Sequence, residues 1–185
     1  LGMTDLPLLS EPNLQQQLVE IGYQGKKLEE LEVLSATEKA KMLFIVQDPY
    51  TSYYDAKVVR DFVALTQKLG FSPILLPFKP NGKAMHIKGF LARFSKTAKT
   101  QAEFLNRVAK LNVPLVGVDP AIVLSYRDEY KEALGDSRGD FHVLTAHEWL
   151  TSQLESNALQ SAVKNIAKSD RTFEWHLFPH CTEST

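Results

Sequence analysis

The chain has 185 residues, of which 44% are hydrophobic, a composition typical of one globular domain with a hydrophobic core. Its 21 lysine and arginine residues balance 22 aspartate and glutamate residues, so nucleic acid is not expected as a partner. The longest apolar runs fall far short of the roughly 18 residues of a membrane span, and no signal-peptide pattern is present, so the sequence predicts a cytoplasmic protein without a transmembrane segment.

Residues 1–40 fit an N-terminal helical extension. A helix is predicted over about residues 13–21, and Ser35 with Glu38 has the spacing of a capping box that opens a second short helix. We expect this extension to pack on one edge or face of the main domain, residues 41–185. Because the chain opens on Leu1 and stops soon after an apolar segment, we also expect it to be a piece of a larger polypeptide.

From about Met42 onward, short apolar runs alternate with longer segments of helical period. This alternation is typical of an α/β fold, and we predict a parallel, Rossmann- or flavodoxin-like sheet of about five strands with flanking helices. The predicted strands are residues 42–46, 72–77, 114–118, 141–144 and 172–178.

The helices between these strands are predicted from apolar spacing and from their end signals. The first covers about residues 55–69 and is stopped by Gly70, the second covers 97–111, and the third opens at Asp119-Pro120 and is closed by Gly135. Thr145 and Glu148 have capping-box spacing before a short helix, and a last helix is predicted over residues 157–167. In the first helix, five side chains are expected on the buried face: Val58, Val59, Phe62, Val63 and Leu69.

Polar loops follow each predicted strand, and the carboxyl ends of parallel strands are where such sheets bind ligands. Asp48 and Asp119, each before a proline, are most simply helix-entry or turn residues. The loop of residues 79–89, with three lysines, a Pro-Asn-Gly turn and His86, suits either an anion or a solvated surface. The tyrosines, Tyr126 among them, are more typical of packing than of ligand contact.

His180 and Cys181 are the only candidates for a thiol nucleophile with a base. Neighbours in an extended segment point to opposite sides, so a Cys-His hydrolase is disfavoured. A single cysteine also excludes an internal disulfide, and by composition alone Cys181 is an inert buried thiol.

Three long stretches resemble a known family. They are VQDPYTSYYDAKVVRDFVALTQKLGFSPILLPFKPNGKAMHIKGF, VPLVGVDPAIVLSYRDEYKEALG and WHLFPHCTEST. Together they resemble the C-terminal region of the large bacterial FAD-linked 2-hydroxyacid dehydrogenases, a family associated with D-2-hydroxyglutarate. The resemblance implies a CCG-type iron–sulfur (4Fe–4S) module, whose two repeats each carry a first cysteine, a Cys-Cys-Gly and a later cysteine pair. Residues 41–185 would be a degenerate first repeat and the start of the second.

The sequence departs from that pattern at every ligand position of the first repeat. Asp48 stands at the first cysteine, Pro80-Asn81-Gly82 at the Cys-Cys-Gly, and residues 119–122 at the last cysteines. The resemblance therefore leaves Cys181 as the metal ligand of this chain. It implies an iron–sulfur cluster and FAD in the intact protein, and none in this chain because most of the thiolates are missing.

The leading hypothesis is that the chain belongs to the iron–sulfur electron-transfer module of an FAD-dependent D-2-hydroxyacid dehydrogenase and is not catalytic by itself. Its partners would be the flavin domain of the same polypeptide and an unnamed electron acceptor, through which any membrane association would arise. The alternative is a non-catalytic anion-binding or interdomain docking module, and a free-standing hydrolase is a weaker third. Seven residues are predicted to contribute to a cofactor or ligand site at the loops: Asp48, Asn81, Lys83, His86, Asp119, Tyr126 and Arg127.

Overall fold

A computed structural model describes residues 7–155 and residue 159. Its centre is a four-stranded sheet in the order β2-β1-β3-β4, and all three pairings are parallel. The strands are β1 (Met42–Val46), β2 (Ser72–Leu75), β3 (Leu115–Gly117) and β4 (Val143–Thr145). The predicted α/β class and parallel sheet are confirmed. The predicted helix at 157–167 and the fifth strand at 172–178 lie outside the described residues.

Nine α-helices surround this sheet in the part of the chain that the structure describes. They are α1 (Leu14–Glu20), α2 (Ala36–Lys39), α3 (Pro49–Tyr53), α4 (Ala56–Lys68), α5 (Lys83–Ile87), α6 (Leu91–Ala109), α7 (Pro120–Arg127), α8 (Glu129–Leu134) and α9 (Ala146–Glu155). Two single turns of 3-10 helix cover Leu28–Leu31 and Gly135–Arg138. Within the described residues, no helix is long and apolar enough to cross a membrane.

The central strand β1 shows why the fold has two cores. All five of its residues are buried, because successive side chains of a strand point to opposite faces and helices cover both faces. Phe44 packs with α6, α7 and α8 on one face, among the side chains of Phe94, Leu105 and Tyr126. Leu43 and Ile45 pack with α1, α4 and α9 on the other face, among these side chains: Leu18, Val59, Phe62, Val63 and Trp149.

The N-terminal segment contributes side chains to both cores. Asn13 caps α1, with Gln16 completing a capping box, and Ser35 with Glu38 does the same for α2. Both predicted helices are thus confirmed. Leu18 of α1 is buried beside α4 in the second core, whereas Leu31 is buried in the first core. The segment therefore contacts both faces of the sheet and not one face alone.

The structure corrects four details of the predicted helices. The loop at 79–89 contains α5, and α6 begins at Leu91, six residues before the predicted start. The single helix predicted from Asp119 to Gly135 is two helices, because α7 ends at Arg127, α8 begins at Glu129, and Asp128 between them has φ of −102° and ψ of −71°. Val58 is 40% exposed, since the buried face of α4 follows Ala56, Val59, Phe62, Val63 and Thr66.

Candidate functional site

The loops after β1, β2 and β3 meet at the carboxyl edge of the sheet. Because β2 lies on one side of β1 and β3 on the other, the chain reverses its direction of winding between β1 and β3. Such a switch point opens a crevice between the two following loops, which is the usual ligand site of an open parallel sheet. Asp48 follows β1 and Asp119 follows β3, so both predicted aspartates lie at this crevice.

Asp48 is a buried helix cap. Its Oδ1 accepts a hydrogen bond of 2.9 Å from the backbone N–H of Thr51, and its Oδ2 accepts one from the Thr51 hydroxyl. The side chain is only 2% exposed. Burial raises the pKa of this carboxyl; the Thr51 hydrogen bonds oppose the rise, and the negative charge of Asp119 adds to it.

Asp119 has the same role one strand away. Its Oδ1 accepts a hydrogen bond of 3.2 Å from the backbone N–H of Ile122, and Pro120 occupies the first position of α7. The helix-entry interpretation is therefore confirmed for both aspartates. Their role as ligand residues stays a prediction.

The turn Pro80-Asn81-Gly82 is fixed by the bonds of Asn81 and by a glycine that no other residue could replace without strain. Asn81 accepts from the backbone N–H of Lys83 through Oδ1 at 3.0 Å, and from the hydroxyl of Tyr130 through its backbone carbonyl at 2.7 Å. Gly82 has φ of +79°, and a methyl group there would lie 2.9 Å from Cδ2 of Phe94. Positive φ and the close ring together require glycine.

Five buried side-chain polar atoms have no hydrogen-bond partner among the described residues, and Nδ2 of Asn81 is one of them. Its side chain is only 4% exposed, and Nδ2 has no hydrogen-bond partner in the part of the chain that the structure describes. A buried donor without an acceptor is destabilising, and native proteins carry few of them. The unpaired Nδ2 of Asn81 is therefore a local energetic cost of this turn.

Lys83 and His86, both on α5, are engaged with neighbouring helices. The ammonium of Lys83 forms an ion pair with Glu129 of α8. Burial opposes ionisation of Glu129, but the hydrogen bond and charge of Lys83 prevail and lower the pKa of that carboxyl. The ring of His86 lies 4.8 Å from that of Phe94 and lines a neighbouring cavity with Glu129. The positive charge expected for an anion site is thus already neutralised at Lys83.

Tyr126 is a core residue below the crevice. It is fully buried and contacts Tyr130 edge to face, with ring centroids 5.1 Å apart. Burial raises the pKa of its hydroxyl, Gln101 opposes the rise, and the carboxylates of Asp48 and Asp119 add to it. Its hydroxyl is therefore electrostatically coupled to both aspartates, while its ring serves packing.

Arg127 lies apart from the other predicted residues. Its guanidinium donates to the carbonyl of Val143 at 2.8 and 3.2 Å and to both carboxylate oxygens of Glu148 at 2.9 and 2.5 Å. Glu148 also accepts from the backbone N–H of Thr145, which confirms the predicted capping box of α9. These bonds lower the pKa of Glu148 to about 2 against the opposing effect of burial. Arg127 thus joins α7, β4 and α9, and it lines a different cavity with Arg138 and His142.

A cavity of about 450 Å³ connects the predicted residues that do come together. Asp48, Asn81 and Lys83 line it. The rest of its wall is formed by these residues: Pro49, Tyr50, Phe78, Pro80, Gly82, Ala84, Met85, Ile87 and Ile122. Sequence reasoning missed its apolar members, although Met85 and Ile87 were a signal that the loop at 79–89 was not wholly polar. It also missed Glu129, because nothing local in the sequence pairs it with a lysine 46 residues away.

The described residues do not fit an iron–sulfur cluster. The three predicted ligand positions carry carboxylate and amide groups already used in local hydrogen bonds, whereas such clusters are held by thiolates. In residues 7–155 and 159, no group of three or more His, Cys, Asp or Glu side chains could hold a metal ion. Cys181 lies outside the described residues and remains a predicted ligand.

Comparison with known proteins identifies relatives along the entire chain. Proteins named D-2-hydroxyglutarate dehydrogenase match it at 82% identity in Haemophilus influenzae, 60% in Escherichia coli and 34% in Pseudomonas putida. The match covers the whole chain but only 17–18% of the length of these relatives. No protein-family model matches the chain, and no solved structure matches it significantly. Over its full length the chain is therefore homologous to one segment of the D-2-hydroxyglutarate dehydrogenases, which confirms the family that its motifs resemble.

Proposed function

We propose that this chain is the scaffold of the electron-relay module in an FAD-linked D-2-hydroxyglutarate dehydrogenase, with hydride transfer carried out elsewhere in the polypeptide. The observation that carries the proposal is the match to dehydrogenases over all 185 residues, at up to 82% identity. Because the chain spans under a fifth of those relatives, the flavin domain would belong to the rest of the polypeptide.

The hydrogen bonds at the carboxyl edge support a scaffold role. Each of the three degenerate loops is closed by its own side chain, through the bonds of Asp48 to Thr51, Asn81 to Lys83, and Asp119 to Ile122. The loops hold their shape without a metal, so this repeat can present a defined surface to the repeat that follows. In this proposal most thiolate ligands of the iron–sulfur cluster would come from outside this chain, and this chain would contribute one ligand, Cys181.

The test uses the complete dehydrogenase polypeptide with Cys181→Ser, and with Ser184→Ala as a matched control in the same segment. We expect Cys181→Ser to lower iron content and the reduction of an artificial electron acceptor. Reduction of the flavin by D-2-hydroxyglutarate should persist, because that half-reaction would occupy another domain. Ser184→Ala should change none of the three. Unchanged iron content in Cys181→Ser would contradict the assignment of Cys181.

Interdomain docking is a second function that a specific observation favours. Apolar side chains are exposed beside the cavity, including Ile87 at 72% and also Tyr50 and Phe90. A partner surface that covers them would bury apolar area, whereas an anion would meet the carboxylate of Asp48 and a lysine already paired with Glu129. Hydrogen exchange tests this function. Backbone amides of α5 should be more protected in the complete polypeptide than in the isolated chain, and equal protection would refute docking at this surface.

A further inference from the structure

The turn between α5 and α6 exposes a group of apolar side chains. All seven residues of the segment 87–93, which we call the α5–α6 corner, are exposed. Three of them are large and apolar: Ile87 is 72% exposed, Phe90 53% and Leu91 58%. Single exposed apolar side chains are ordinary, whereas three within five residues bring apolar surface together, which is typical of a contact site.

Local contacts fix the backbone of the α5–α6 corner. The backbone N–H groups of Gly89 and Phe90 donate to the carbonyls of His86 and Met85, both at 2.9 Å. One turn into α6, the ring of Phe94 is 1% exposed and packs in the first core. A partner would therefore bind a surface that is already ordered, which lowers the entropic cost of association.

The corner lies in a stretch of sequence that lacks negative charge. Residues 62–102 contain seven lysine and arginine residues and no aspartate or glutamate, although 22 of the 185 residues are acidic. Lys88 and Arg93 of the corner form no ion pair in the part of the chain that the structure describes. Cζ of Arg93 lies 5.8 Å from the centroid of the Phe90 ring, so positive charge directly adjoins the exposed apolar surface.

The positive charge continues along α6. Lys96 and Lys99 are exposed on this helix, and within the described residues neither forms an ion pair. Negative charge approaches the corner from α8, where Glu132 lines the same cavity as Leu91, while Glu129 is already paired with a lysine of α5. The cationic part of the surface is therefore the corner together with the exposed face of α6.

The position of the corner indicates what covers it. Because β2 leads directly into α5, the corner lies at the carboxyl edge of the sheet, beside the loops of Asp48 and Asp119. More than four fifths of the length of the relatives lies outside the matched segment, so the complete polypeptide has ample surface to meet this edge. Interfaces usually have an apolar centre and a polar rim of complementary charge. A small inorganic anion, by contrast, would leave the apolar side chains in water.

We propose that the α5–α6 corner binds an acidic surface of the same polypeptide that lies outside this chain. Carboxylates of that surface face Lys88 and Arg93, and its apolar centre covers Ile87, Phe90 and Leu91. This inference rests on the interdomain docking function proposed above and names the chemistry of the partner surface. Docking alone requires only an apolar partner, so the two proposals can fail separately.

Carbodiimide cross-linking of the complete polypeptide tests the charges directly, because the reagent joins a lysine amine to a carboxylate only where the two are in contact. After proteolysis of the monomeric product, mass spectrometry should find Lys88 joined to aspartate or glutamate residues outside this chain. Lys68 and Lys110 are the matched controls, since they are exposed lysines at the ends of α4 and α6, at the opposite edge of the sheet. Neither control should be joined to those residues.

Hydrogen exchange of the complete polypeptide measures how much the charges contribute. Lys88→Gln combined with Arg93→Gln should lower the protection of backbone amides at residues 87–94 about fivefold, because two partly exposed ion pairs each contribute little. Raising the salt concentration to roughly 0.5 M should have a similar effect, because exposed charges are screened. Lys68→Gln combined with Lys110→Gln should leave this protection unchanged.

The outcomes separate the two proposals. If α5 is equally protected in the complete polypeptide and in the isolated chain, docking fails and this inference fails with it. Protection that withstands both high salt and the loss of Lys88 and Arg93 would overturn the acidic partner while leaving docking intact. The acidic partner would also be overturned if Lys88 formed no cross-link outside this chain, or formed one only between two copies of the polypeptide.

Discussion

Replacing Gly82 with alanine should destabilise the chain by more than the same change at another glycine of positive φ. An L-residue in the left-handed region costs about 1–2 kcal/mol. At Gly82 the added methyl group would also lie 2.9 Å from Cδ2 of Phe94, a buried ring of α6 that contacts Tyr130 of α8. Overpacking of this kind costs about 1–3 kcal/mol more. We therefore expect Gly82→Ala to lower the free energy of unfolding by roughly 2–5 kcal/mol.

Gly70 provides the matched control. Its φ is +87°, and a methyl group there would meet nothing within 4 Å. Gly70→Ala should therefore lower the free energy of unfolding only by the cost of a positive φ for alanine, about 1–2 kcal/mol. Urea unfolding followed by circular dichroism measures both free energies. Phe94→Leu should reduce the extra cost at Gly82, because a smaller side chain makes room for the methyl group. Equal losses for Gly82→Ala and Gly70→Ala would refute the packing argument.

Three further predictions concern charged groups. Burial raises the folded-state pKa of Asp48, so its carboxyl should stabilise the fold at low pH and lose that contribution as the pH rises through the folded-state pKa. Asp48→Asn keeps a capping oxygen, and its urea midpoint should lack this decline as the pH rises above the ordinary aspartate pKa of about 4. The folded-state pKa of Glu148 is lowered to about 2. Its carboxylate should therefore contribute to the free energy of unfolding above the unfolded-state pKa, and this contribution should disappear as the pH falls toward 2. In acid unfolding, Glu148→Gln should not show this loss of stability. A double-mutant cycle of Lys83→Met and Glu129→Gln, measured by urea unfolding, should give a coupling free energy of about 1 kcal/mol, since the ion pair is only partly buried. A coupling free energy of zero would show that the ion pair does not stabilise the fold.

Local signals in the sequence were sufficient for the helix starts. Asp119-Pro120 predicted the start of α7, and Thr145 with Glu148 predicted that of α9, because a capping side chain satisfies backbone groups only two or three residues away. The same signals did not reveal α5 or the division between α7 and α8. Those depend on packing of Met85 and Tyr130 against the first core, which no local pattern contains.

The sequence by itself determined the α/β class, the parallel direction of the strands and the meeting of the loops that contain Asp48, Asn81 and Asp119. These follow from apolar periodicity and from the rule that parallel strands end at one edge of a sheet. Only the tertiary structure decided how the polar residues are used. It paired Lys83 with Glu129, placed Arg127 against Val143 and Glu148, and left Nδ2 of Asn81 without an acceptor among the described residues. These pairings join residues 16 to 46 positions apart, and such distant contacts are fixed by how helices pack across the sheet and not by local sequence.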